Sequence, residues 1–150
     1  MKNIFDKKET TKIIDRINNL ETTSKPQWGK MSVDQMLAHC NVTYEMALDN
    51  IHTKPNGFKT AILKLLIKPI VVSEKPYKKN SKTAPEFLIT SSKNFETEKE
   101  RLINYLNKTQ SLGANYFEGK ESLSFGKLSK QEWNNMFYKH LDHHLNQFGV

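Results

Sequence analysis

At 150 residues, 37% hydrophobic and 26% charged, the chain has the length and balance of one ordinary folded domain, expected to span 1–150, and does not read as disordered. A net charge of +7 raises nucleic-acid binding, yet Arg16 and Arg101 are the only arginines and the lysines are scattered, so base and bidentate phosphate recognition has no support. One cysteine, Cys40, allows no internal disulfide, and the start Met1-Lys-Asn-Ile-Phe-Asp-Lys-Lys-Glu9 is too charged for a signal peptide; both point to a cytoplasmic protein.

In chain order, Ile13, Ile14, Ile17 and Leu20 predict a first helix from Lys7 to Leu20, ended by Glu21-Thr-Thr-Ser-Lys-Pro26. Trp28 reads as a staple residue packing on the entrance of the next helix, with the mouth of a pocket as the alternative. Ser32 and Gln35 form a capping-box pattern that opens a second helix, running to about Asn50. On it, His39 shares a face with Met36, Val42, Thr43 and Met46 and therefore looks inward, whereas His52 falls beyond, beside the loop Thr53-Lys-Pro-Asn-Gly57. Phe58 to Lys68 reads as a short helix stopped by Pro69. The apolar run from Ala61 to Val72 contains two lysines and a proline and is too short to cross a bilayer, so no membrane partner is expected.

From Val71 to Leu88, prolines and lysines predict a long surface crossover, the kind of loop that serves as a lid or pocket wall or is simply mobile. Its cluster Lys75-Pro-Tyr-Lys-Lys-Asn-Ser-Lys82 reads as solvated loop, with anion attraction as the alternative. Phe95, Leu102, Ile103 and Leu106 mark a third long helix, Ser92 to Thr109, with Gly113 following its end. After an irregular connection through Tyr116–Gly119 and Phe125-Gly126, Ser129 and Glu132 form a second capping-box pattern. The last helix then runs over 130–148. No convincing strand pattern is visible. The expected fold is all-α, a four-helix bundle with a long crossover between the second and third long helices.

The last helix carries three of the five histidines. His140 and His144 lie ~40° apart on one face, while His143 lies ~100° from His144, toward the polar boundary. A lone core histidine is usually just hydrogen-bonded, and two donors cannot complete a tetrahedral site, but His39 supplies a third inward imidazole. Several buried imidazoles without partners are costly, and coordination would satisfy one nitrogen on each. Three neutral nitrogens at ~2.0–2.1 Å would leave an open coordination position, as in a catalytic zinc site; nickel, iron and manganese also suit imidazole. His143 is the competing ligand and reads better as a flanking group that hydrogen-bonds or shuttles protons near neutral pH. Gln35 and Gln147 are candidates to orient ligands or contact substrate, with capping the alternative for Gln35. Glu45 and Asp142 are candidate carboxylate partners, Asp142 more simply a solvated one. Cys40 points ~100° from His39 and reads as a small core residue. No hydrolytic triad order, phosphate loop or Cys-x-x-Cys pattern is present.

Gln35-Met-Leu-Ala-His39 together with His140-x-x-His143-His144-x-x-Gln147-Phe148 resembles the DinB/YfiT-like superfamily of helical proteins regarded as metal-dependent enzymes. Trp28-Gly-Lys-Met-Ser32 and Phe125-Gly-Lys-Leu-Ser-Lys-Gln-Glu-Trp133 resemble one of its uncharacterised subgroups. That family's pattern of one histidine on the second helix and a His-x-x-x-His pair on the last carries over to His39, His140 and His144. Similar proteins often carry a His-Pro pair before the Phe-x-Gly-type turn; Ser122-Leu123 stands there instead, so that loop's role is not carried over. The resemblance implies thiol chemistry, since some similar proteins are transferases or isomerases using bacillithiol, mycothiol or glutathione. The expected function is a divalent-metal-dependent enzyme acting on a small molecule. Metal-assisted hydrolysis is the second enzymatic reading. The alternative class is a non-catalytic interaction or metal-binding bundle, dimeric through one helix face.

Overall fold

The computed structural model describes residues 1–49 and 51–150. Its main helices begin where a side chain accepts an otherwise unpaired amide. Asp6 accepts from Glu9 N–H (3.1 Å) at the start of α1 (Lys7–Asn18), and Asn94 accepts from Thr97 N–H (2.9 Å) at the start of α5 (Phe95–Phe117). Helix α2 (Val33–Leu48) opens with Ser32 N–H donating to Gln35 Oε1 at 3.1 Å. Helix α6 (Lys130–Gln147) carries the full reciprocal box: Glu132 N–H donates to Ser129 Oγ (3.2 Å), and Ser129 N–H to Glu132 Oε2 (2.9 Å). Between α2 and α5 lie two short helices, α3 (Gly57–Ile62) and α4 (Lys68–Val72), and a 3-10 turn at Pro85–Phe87.

The chain is mostly helical, and α1, α2, α5 and α6 pack against one another. Helix α2 is the inner one, with Met36, Leu37, Cys40 and Tyr44 at most 1% exposed. Tyr44 stacks on Phe137 of α6 (centroids 4.9 Å, 7° between planes), and Phe117 and Trp133 close the same aromatic cluster. Full burial of side chains of this size contributes about 1.5–3 kcal/mol each before ordering costs are subtracted. Ile13 and Ile17 of α1 and Leu102 and Leu106 of α5 fill the remaining core positions. Polar ties fix the register. Buried Asn134 accepts Ile4 N–H (2.7 Å) and donates to the Lys2 carbonyl (3.0 Å), holding the N-terminus on α6. Arg16 donates to Asp142 (2.7 Å), Asn146 (2.9 Å) and the Val150 carbonyl (2.8 Å), holding the other end of α6 on α1.

Some helix boundaries differ from the sequence expectation. The first helix stops at Asn18, and Leu20 is buried beyond it. The second is expected to reach Asn50, a position outside the described residues; its last described helical residue is Leu48. Helix α5 is interrupted at Gly113 (φ +72°, ψ 165°), the glycine expected to follow its end, in a conformation glycine adopts without steric cost, and a short helical extension beyond the kink carries on to Phe117. The extension is held by Phe117, whose ring is fully buried. Pro69 does not end the short helix as expected. A π-helical turn over Leu63–Ile67 intervenes, with Lys68 N–H donating to the Leu63 carbonyl, and Pro69 falls in the first turn of α4, where its missing N–H costs nothing. A two-residue antiparallel pair, β1 (Glu121–Ser122) with β2 (Gly126–Lys127), also forms where no strand is expected. Strands this short leave almost no periodic signal.

Candidate metal centre

Helices α2 and α6 cross so that three imidazoles meet. His39 comes from the middle of α2, and His140 and His144 sit one turn apart on α6; their nearest ligand atoms all lie within 4.8 Å of one another. His39 Nε2 and His140 Nε2 are 2.9 Å apart. His39 and His144 are buried, while His140 is partly exposed.

The second nitrogen of each ring is tied down. His39 Nδ1 lies 2.9 Å from the Phe87 carbonyl, which can only accept, so this nitrogen carries the proton and Nε2 keeps its lone pair. Gln147 Nε2 donates to the Trp28 carbonyl at 2.6 Å, which turns Gln147 Oε1 toward His144 Nδ1 at 2.8 Å. That oxygen also only accepts, so His144 likewise presents a bare Nε2. His140 Nδ1 is 2.9 Å from the Thr43 hydroxyl, which can donate or accept. Without an ion, Thr43 donates and His140 Nε2–H is shared with His39 Nε2. With one, the hydroxyl rotates to accept and frees the third lone pair. Imidazoles around one tetrahedral ion need nitrogens roughly 3.3 Å apart, so the pair at 2.9 Å has only to open by a few tenths of an ångström. The donor set fits a divalent ion.

Burial keeps the rings neutral. Desolvation lowers the pKa of His39, moves that of His140 well below its ordinary value and lowers that of His144 to about 3, with the neighbouring imidazoles adding to the effect on His140 and His144. Neutral nitrogens at physiological pH are what a metal ligand requires.

His143 stands beside the cluster. Its ring meets that of His144 (5.1 Å between centroids), Trp28 (5.8 Å) and Tyr77 (5.7 Å), and it lines a cleft of about 650 Å³ shared with Trp28, Tyr77, Lys79, Lys139 and Asp142. Lys79 Nζ sits 4.2 Å over the Trp28 ring. Half-buried His143 has its pKa lowered, chiefly by desolvation, and is therefore a neutral base. Trp28 thus borders this cleft, the alternative to the staple reading. Gln35 faces the start of its own helix and caps it, well away from the imidazoles in its hydrogen bonding. Glu45 pairs with His52 (2.8 Å) and Arg101, and Asp142 pairs with Arg16 (2.7 Å), so neither carboxylate serves the three-histidine cluster. Cys40 is buried against Met36, its thiol pKa raised by desolvation.

The partners that sequence reasoning missed are Phe87 and Thr43. Thr43 lies one turn from His39 on the same face, a spacing that could have flagged it. Phe87 contributes its main-chain carbonyl, which has no sequence signal, and also packs its ring against His39 (5.4 Å between centroids) and His140 (5.9 Å).

A family model described as a protein of unknown function (DUF1569) matches residues 4–149, nearly the whole chain. The chain belongs to that family. No curated protein and no solved structure matches it. Within this DUF1569 chain the tie between Gln147 and the 27–29 turn is tight. Gly29 sits at φ +81°, and a Cβ there would lie 2.6 Å from Gln147 Nε2. Gly29→Ala is therefore expected to displace the amide that orients His144 and, like Gln147→Leu, to weaken divalent-metal affinity by about 10–100-fold with helical content unchanged. Competition titration against a chromophoric chelator measures it; wild-type affinity in both variants would show the ring is held without that amide.

Proposed function

We propose that the chain is a divalent-metal-dependent enzyme in which His39, His140 and His144 hold the ion through Nε2. The observation that carries this reading is the set of three convergent imidazoles whose Nδ1 atoms are each engaged by a separate partner: Phe87, Thr43 and Gln147. Anchored at Nδ1, the rings leave their other nitrogens grouped within 4.8 Å, the arrangement of imidazoles that share an ion. An ion held by three neutral ligands supplies a Lewis acid with an open position, able to lower the pKa of a bound water or thiol. We take zinc as the first candidate and place the chain, as a four-helix bundle, in the DinB/YfiT-like superfamily.

The chain's own groups supply the rest. His140 is the partly exposed member of the cluster, and the aromatic walls, Trp28 and Tyr77, of the neighbouring cleft, which meets the cluster through His143, would hold a small organic substrate. Lys79 at its rim favours an anionic one, which suits a low-molecular-weight thiol bearing carboxylates. His143, neutral and placed between cleft and centre, would accept the proton that such a thiol or water releases. Thiol S-transfer is our leading reaction class, and metal-assisted hydrolysis uses the same open position.

The decisive experiment presents zinc-loaded protein with bacillithiol or glutathione and an electrophilic acceptor, and with ester and amide substrates in parallel. Thioether formation abolished by a chelator and restored by zinc is the expected result. His143→Ala should retain the metal and lose about 10²–10⁴-fold in turnover, the usual worth of a positioned general base. Metal-loaded protein inert toward both substrate classes would return the centre to a non-catalytic role.

A further inference from the structure

The crossover carries a second feature that the metal centre does not use. From Gly57 to Val72 the chain is continuously helical, through α3, the π turn and α4. Its large apolar side chains face solvent: Phe58 is 79% exposed and Leu65 75%, and Ile62, Leu66, Ile67 and Ile70 are exposed as well. The spacing of 58, 62, 65, 66 and 70 is that of one helical stripe. Contiguous exposed patches of this kind mark interaction sites. The opposite side is anchored. Lys139 Nζ donates to the Ile70 (2.7 Å) and Ser73 carbonyls, Asn135 donates to the Val72 carbonyl (2.8 Å), and Lys68 pairs with Glu132 (2.9 Å). These bonds to α6 hold the segment so that the apolar stripe points outward.

Charge identifies the occupant. Residues 51–88 contain eight lysines and two glutamates, a net +6 of the chain's +7, so the rest of the molecule is nearly neutral. Within the helical run Lys59 and Lys68 are paired with Glu86 and Glu132, while Lys64 and the exposed Lys75, Lys78 and Lys82 that follow it have no ion pair among the described residues. Two copies meeting through this face would bring like charge against like. An anionic lipid surface instead takes the apolar stripe into the headgroup boundary and pairs its phosphates with the flanking lysines.

We propose that residues 57–82 form a peripheral membrane-docking surface selective for anionic bilayers. This reverses the expectation from sequence that the chain has no membrane partner. It concerns binding in the interface plane; among the described residues no helix is long and apolar enough to cross a membrane.

The test is co-sedimentation of the full chain with vesicles of phosphatidylcholine alone and of phosphatidylcholine with phosphatidylglycerol. Binding should require the anionic lipid and weaken as salt rises. The double variant Leu65→Glu/Leu66→Glu and the triple variant Lys75→Gln/Lys78→Gln/Lys82→Gln should each weaken it by about tenfold or more, with circular dichroism unchanged because all five side chains are exposed. Failure to bind the anionic vesicles, or equal binding to neutral ones, would overturn the proposal. So would light scattering showing a wild-type dimer that Leu65→Glu/Leu66→Glu dissolves, which would assign the face to a second copy. None of these readouts depends on metal.

Discussion

Replacing His144 with alanine should empty the metal centre while leaving the helices intact. Wild-type protein purified without a histidine tag is expected to carry about one equivalent of divalent metal, and His144→Ala or His39→Ala close to none. The reason is ligand count: two imidazoles at one edge of a buried site cannot replace the hydration shell of an ion. His143→Ala should keep its metal, because that ring lies beside the cluster and faces the cleft. Truncating an imidazole in a packed site removes volume as well as a ligand, so circular dichroism and a urea midpoint accompany the metal analysis. Elemental analysis showing stoichiometric metal in His144→Ala would sink the assigned ligand set.

Acidification should destabilise the metal-free protein more steeply than its surface carboxylates alone would. His39, His140 and His144 have folded-state pKa values below the ordinary imidazole value, that of His144 being about 3. Below pH ~6.5 the unfolded chain takes up protons on these rings more readily than the folded chain, so stability is intact above that pH and falls as pH drops. Each ring that stays neutral costs about 1 kcal/mol between pH 6.5 and 5.5 by that linkage. Urea midpoints at pH 7.5 and 5.5 measure the loss, and His144→Leu should reduce the slope by roughly one ring's share. An unchanged slope in a variant with all three replaced by leucine would show that other groups carry the pH dependence. Bound metal should offset the loss, since it binds only the deprotonated rings.

Both expectations rest on geometry that was only partly written in the sequence. The inward placement of His39, His140 and His144 follows from helical periodicity, because Met36 and Phe137 set the buried face on which each helix must turn. The capping residues Ser32 and Ser129 likewise mark where α2 and α6 begin. The crossover was illegible in detail. Proline normally ends a helix, and only the intervening π turn lets Pro69 sit where its missing N–H does no harm. Gly113 does interrupt α5 as a stop would, and what the sequence hid is the short helical stretch beyond it, which buries the Phe117 ring in the core. Trp28 and Phe87 serve the imidazole cluster through carbonyl oxygens, and a main-chain atom has no letter in the sequence.

That last point bears on how the protein can vary. The bond from His39 to residue 87 uses an atom every amino acid possesses. A large apolar residue at 87 should keep the carbonyl in place, because the Phe87 ring packs on His39 and His140, whereas removing one or two residues from the crossover would withdraw the carbonyl altogether. The centre is therefore sensitive to the length of a segment whose composition, outside residue 87, it scarcely reads. The same segment is free to change its exposed side chains, and whatever surface it meets, without disturbing the imidazoles beneath it.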